Sequence, residues 1–184
     1  MATQEQAARY LILQAVAAGE ARDFQATVRL LTEAIQLAPR NAEAYHNRGL
    51  AYNALQRWPE AVADFTQALD LDLDASSYGG RGYAHYGLGN VEAARRDWEE
   101  AVRMAPDDPT ALRNLGWLYV EQHRYREAVD LLTRAIARDP LLAAAYANRA
   151  RAYQAIGDAK RAFDDMQQAR ALLVSSQDTS QRRL

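Results

Sequence analysis

Five small residues, Ala15, Gly49, Gly82, Gly116 and Ala150, stand 34, 33, 34 and 34 positions apart, and Ala34, Ala68, Ala101, Ala135 and Ala169 keep the same steps. A period near 34 marks a helical solenoid of two-helix units, none of which buries its apolar face alone. Each unit carries two apolar stretches at helical spacing, and no alternating strand pattern competes. The expected fold is all-α: five helix-turn-helix repeats at about 8–41, 42–74, 75–108, 109–142 and 143–174, about ten helices in one array over 1–174. Residues 175–184 are expected to form a polar, disordered tail.

The small residues let two helices cross closely, and Gly49 is expected to lie against Ala61 and Ala68. Pro39, Pro106 and Pro140 recur where the second helix should stop, while Pro59 and Pro109 suit a first helical turn. Leu73 replaces proline in the second repeat and predicts a more helical junction there. The glycines of the third repeat, Gly79, Gly80, Gly82, Gly87 and Gly89, read as helix punctuation.

Charge follows the repeat as well. Arg48, Arg81 and Arg149 precede the small residue in three repeats, and the same three carry Asp64, Asp97 and Asp165 sixteen residues later. The other two repeats have Gln14 with Leu30 and Leu115 with Leu131, so charge occurs at both places or at neither. An interhelical ion pair is expected in each of the three.

The run Leu112, Gly116, Tyr119, Ala128, Leu132, Ala135 and Pro140 resembles the tetratricopeptide repeat, and five consecutive matches extend the resemblance over residues 8–174. The resemblance implies a right-handed superhelix of antiparallel helix pairs, with the first helices lining a concave face. On that face the core assignment leaves Asn47, Leu50 and Asn53, then Tyr83 and Tyr86, then Arg113, Asn114, Trp117 and Val120, then Asn148, Arg151 and Gln154. Peptide-binding members of the family set asparagines there against the backbone of an extended ligand, which points to Asn47, Asn114 and Asn148. Tyr83, Tyr86 and Trp117 would then anchor apolar side chains, with Arg113 and Arg151 favouring an acidic residue. The co-chaperone subclass grips a terminal carboxylate with basic residues, but one register here offers Ile12, Val16, Asn47, Ser76 and Gly80, which disfavours a chaperone-tail receptor.

The remaining features are mostly exclusions. A formal charge of -2 and a pI near 5.9 provide no basic field for nucleic acid. With 49% apolar residues the chain can bury a substantial core, and with no cysteine it has no thiol chemistry. Three scattered histidines and acids without a base or nucleophile in register argue against an enzyme, a metal or a cofactor. His85 reads as a core histidine, and His46 lies on the concave face. The opening segment reads as a repeat helix, with no leader and no membrane insertion, which suits a cytoplasmic protein. Only Lys160 among 22 basic residues is lysine, a usage that points to a GC-rich bacterial genome.

The ends bear on assembly. Arg170 stands where Ile35, Leu69, Val102 and Ile136 pack on a following repeat, so the last helix is expected to turn a polar face to water. Leu11, Ile12, Leu13 and Val16 cover more than one stripe of the first helix. The function expected is a non-catalytic scaffold or adaptor that holds a protein or peptide segment in its groove. The alternative is a homo-oligomer joined through the first helix or the array ends.

Overall fold

The computed structural model describes residues 3–72 and 74–181, with side chains through Ser175. Among these residues there are ten α-helices and no strand: α1 (Gln4–Glu20), α2 (Phe24–Leu37), α3 (Ala42–Ala54), α4 (Trp58–Leu71), α5 (Ala75–Gly87), α6 (Val91–Met104), α7 (Pro109–Glu121), α8 (Tyr125–Arg138), α9 (Ala143–Ala155) and α10 (Ala159–Gln181). They group into two compact units, residues 1–101 and 102–184. In the first unit α1 pairs with α2 and α3 with α4, while α2 also packs on α3 and α4 on α5. In the second, α7 pairs with α8 and α9 with α10, and α8 packs on α9. The segment from residue 175, expected as a disordered tail, is helical through Gln181, and residues 182–184 lie outside the described part. Leu73 lies outside it too.

Local chemistry sets the helix limits. Asp23, Asn41, Asp74 and Asp108 each accept a hydrogen bond from the backbone N–H three residues on, which satisfies a donor that the helix start leaves open. Thr3 and Gln6 do so reciprocally at the start of α1. Pro39, Pro106 and Pro140 each fall two residues after the last residue of α2, α6 and α8.

The close crossings centre on aromatic rings. Gly49 faces the Phe65 ring, which a Cβ at this position would approach to 3.0 Å. Gly80 flanks the same ring from α5, where a Cβ would come within 2.4 Å. Phe65 is therefore fully buried between α3 and α5, filling the space both glycines leave. Gly82 serves Trp98 in the same way, with a Cβ distance of 2.6 Å. These glycines are packing residues, not punctuation; Gly89, in the left-handed region at φ +77°, keeps the turn role.

The three expected ion pairs are present, and each is bidentate. Arg48 donates from Nε and Nη2 to the two carboxylate oxygens of Asp64 at 2.7 and 2.8 Å. Arg81 holds Asp97 at 2.9 and 2.8 Å, and Arg149 holds Asp165 at 2.8 Å twice. Each arginine also donates Nη1 to a threonine on the preceding second helix: Thr32 at 3.1 Å, Thr66 at 3.2 Å and Thr133 at 3.0 Å. One guanidinium thus joins three helices and crosses from one repeat to the next. Tyrosine rings flank it, with Tyr45 and Tyr52 at 5.7 and 5.9 Å from Arg48 and Tyr146 and Tyr153 at 5.7 and 5.8 Å from Arg149. The hydrogen bonds to aspartate hold all three arginines above the ordinary guanidinium range, against the opposing effect of burial.

Candidate functional site

The residue after each small position on the first helices of residues 1–101 is Val16, Leu50 and Tyr83. All three are exposed, at 42%, 45% and 49%, while Ala15, Gly49 and Gly82 beside them are buried. Because α1 packs beside α3 and α3 beside α5, the unit presents an apolar ladder with one rung per first helix. Tyr83 is steadied by an edge-to-face contact with Trp58, ring centres 5.6 Å apart. Tyr86 is half-buried and tilts onto Trp98 at 6.1 Å, which leaves less of it for a ligand than expected. Asn47 is half-buried beside Leu50. Asn53, expected on the open face, is buried instead; its Nδ2 donates to the Gly80 carbonyl at 2.9 Å and ties α3 to α5.

In residues 102–184 the expected residues are more enclosed. Arg113 and Trp117 are half-buried on α7, and Asn148 is half-buried on α9. Asn114 is 9% exposed and Val120 is buried, so the Asn114 amide is largely closed to a ligand, contrary to expectation. Arg151 is exposed, but its Nη2 donates to Glu121 at 2.8 Å, so an acid of the same chain already meets the charge reserved for an acidic ligand. That pair sits in the wall of a shallow pocket of about 290 Å³ that also takes in His123, Tyr125 and Gln154.

His46, Ser77 and Asp74 come together without making a catalytic triad. His46 Nδ1 lies 2.7 Å from Ser77 Oγ and 3.9 Å from Asp74 Oδ2, so serine and acid face the same ring nitrogen and no relay through the imidazole is possible. Ser77 is also buried and hydrogen-bonded to the Asp74 helix cap. The cluster is a clasp between α3 and α5, and the Phe65 ring meets His46 edge-on at 5.6 Å. Burial pushes the His46 pKa down, outweighing Asp74 and Glu43, and burial does the same to His85. Below about pH 6.5 the unfolded chain therefore takes up protons that the folded chain refuses, so stability present above that pH falls as pH drops through the window. Urea unfolding from pH 7.5 to 5.5 should show this loss. The slope should shrink in His46→Gln, and an unchanged slope would show that the clasp does not set it.

Comparison with known proteins then gives the family. Three models, each described as tetratricopeptide repeat, match residues 42–74, 73–140 and 113–173. The chain belongs to the tetratricopeptide repeat family. It is 36% identical to serine/threonine-protein phosphatase 5 of Rattus norvegicus over 93 residues, half of this chain and 19% of that protein. It is 33% identical to Hsc70-interacting protein 1 of Drosophila melanogaster over 137 residues, 68% of this chain and 35% of that protein. The chain thus spans only a fifth to about a third of these relatives. The crystal structure of YrrB, "a TPR protein with an unusual peptide-binding site", superposes with a TM-score of 0.66 at 20% identity, covering 88% of this chain and 84% of that one. In tetratricopeptide terms the fold is the all-α superhelix class. The ladder position falls one residue after the small residue of the first helix, with Trp117 and Arg151 in the fourth and fifth repeats. Among the described residues no helix is long and apolar enough to cross a membrane, and no three His or acidic residues are grouped to hold a metal.

Proposed function

We propose that this tetratricopeptide repeat chain is a non-catalytic protein-interaction module that holds an extended polypeptide segment along the first-helix face of residues 1–101. Val16, Leu50 and Tyr83 are its apolar anchors. The observation that carries this reading is their exposure at one equivalent position on three adjacent helices. Large side chains left open in register across α1, α3 and α5 cover no core, and such a patch fits a partner. Neighbouring helix axes lie roughly 8–10 Å apart. A ligand in the extended polyproline II conformation rises about 3.1 Å per residue with three residues per turn, so side chains three residues apart share a face. Ligand side chains three residues apart therefore meet successive rungs. Asn47, beside the middle rung, offers a donor and an acceptor to the ligand backbone.

Packing pre-orders the face, which lowers the ordering cost of capture. Support also comes from a fold neighbour described by a peptide-binding site and from a relative named for its interaction with Hsc70. A phage library of random peptides panned on the purified protein tests the reading. Enriched sequences should carry apolar residues spaced by three, and enrichment should vanish on Leu50→Glu combined with Tyr83→Ala. Enrichment that survives this double variant would overturn the assignment.

A further inference from the structure

We propose that copies of this chain associate head to tail, with the outer face of α10 in one copy covering α1 of the next. The expectation of a polar last face, drawn from Arg170, does not hold. Met166 occupies the place at which Leu31, Phe65, Trp98 and Leu132 are fully buried in the other repeats, yet it is 58% exposed. Phe163 and Val174, on the same stripe, are also exposed. An apolar helix face that no described residue covers is a liability unless a partner covers it. At the other end Tyr10 and Leu13 of α1 are exposed as well, on the face that α5 turns toward α4.

The arrangement of α4 on α5 within the first unit shows what fits. There Phe65 meets Gly80 and Trp58 meets Gly87, each bulky side chain lying where a Cβ would clash. The equivalent places in α10 hold Met166 and Ala159, and in α1 they hold Leu13 and Glu20. Both changes are compensated. Where α10 has the smaller residue, α1 has the larger, so Met166 would face Leu13 and Ala159 would face Glu20. Lys160, next to Ala159, then stands beside Glu20 with opposite charge, and both are exposed. The second copy thus continues the helix-on-helix packing already present inside the chain. Such a contact is heterologous: each association leaves a free α10 face and a free α1 face, so species larger than a dimer form. By the same template Val16, the counterpart of the Tyr83 that touches Trp58, borders this contact, while the Leu50 and Tyr83 rungs lie outside it.

Sedimentation velocity over a concentration series tests the contact. The wild-type average mass should rise beyond that of a dimer. Leu13→Glu and Met166→Glu, both at exposed sites, should each be monomeric with unchanged helix content. An equimolar mixture of the two should form a one-to-one dimer and nothing larger, through the intact α10 of one and the intact α1 of the other. A wild type monomeric throughout, a mixture that stays monomeric, or either variant dimerising alone would overturn the proposal, the last by showing a symmetric contact of one face with itself. Should a glutamate disturb folding, charge exchange probes the same contact: Glu20→Lys and Lys160→Glu each weaken association, and the chain carrying both regains it. Failure of the double exchange to recover would count against the proposal equally.

Discussion

Trp98→Ala is expected to lower the unfolding free energy by about 3–5 kcal/mol, the range for removing a fully buried large aromatic. Trp98 has no exposed surface, its indole N–H donates to the Gly79 carbonyl at 3.0 Å, and Gly82 has given up its Cβ to let the ring approach. Neither main-chain neighbour can move in to fill the space without breaking α5, so the cavity stays open and the Gly79 carbonyl loses its donor. Because repeat proteins are held together largely by nearest-neighbour contacts, the loss should appear first as local opening. Hydrogen exchange should rise in α5 before it rises in α9. A change under about 1 kcal/mol in urea unfolding would mean that Trp98 is not the wedge between α5 and α6.

Asp97→Ala should cost a similar amount, about 3 kcal/mol or more, because it strands Arg81 as a mostly buried cation. Thr66 at 3.2 Å and the Tyr78 ring at 5.4 Å remain without a charge, and Asp70 is left as the smallest of the charge effects on Arg81. Replacing both partners is a different matter. The fourth repeat has Leu115 and Leu131 at the two places, both buried, so the backbone geometry accepts an apolar pair. Arg81→Leu with Asp97→Leu should therefore recover most of the loss, and a double-mutant cycle should give a coupling of about 1–3 kcal/mol. A double variant no better than Asp97→Ala alone would show that the guanidinium contributes more through Thr66 and the tyrosine than through the aspartate.

The ion pairs were legible because the repeat supplies its own comparison: Arg with Asp, or leucine with leucine, at matched positions of one chain. The threonine that completes each clasp was equally legible, since Thr32, Thr66 and Thr133 keep step with the arginines and Glu99 replaces them where Leu115 replaces arginine. It crosses from one repeat to the next, so matched positions within a single repeat do not show it. The ring beside Gly49 was not legible for another reason. Residue size says that a neighbour comes close but not which one, and the Phe65 ring on the facing helix is nearest to Gly49.

Angular position on a helix located the open face but not its depth. Leu50 and Tyr83 are exposed as expected, while Asn53 and Asn114, nominally on the same face, are buried by the helices beside them. Arg151 was assigned to a ligand because Glu121, thirty residues earlier, gave no sequence sign of being its partner. At the end of the array one arginine suggested a polar face, whereas the surrounding Phe163, Met166 and Val174 make it apolar.

Calorimetric titration of one library-selected peptide asks whether the Val16, Leu50 and Tyr83 ladder captures an extended segment. Into Tyr83→Ala the peptide should bind about 30-fold more weakly than into wild type, the equivalent of about 2 kcal/mol for a buried aromatic anchor. Into Leu141→Ala, which removes an exposed apolar side chain off the ladder, affinity should match the wild type. Equal affinity for wild type and Tyr83→Ala would contradict capture by the ladder.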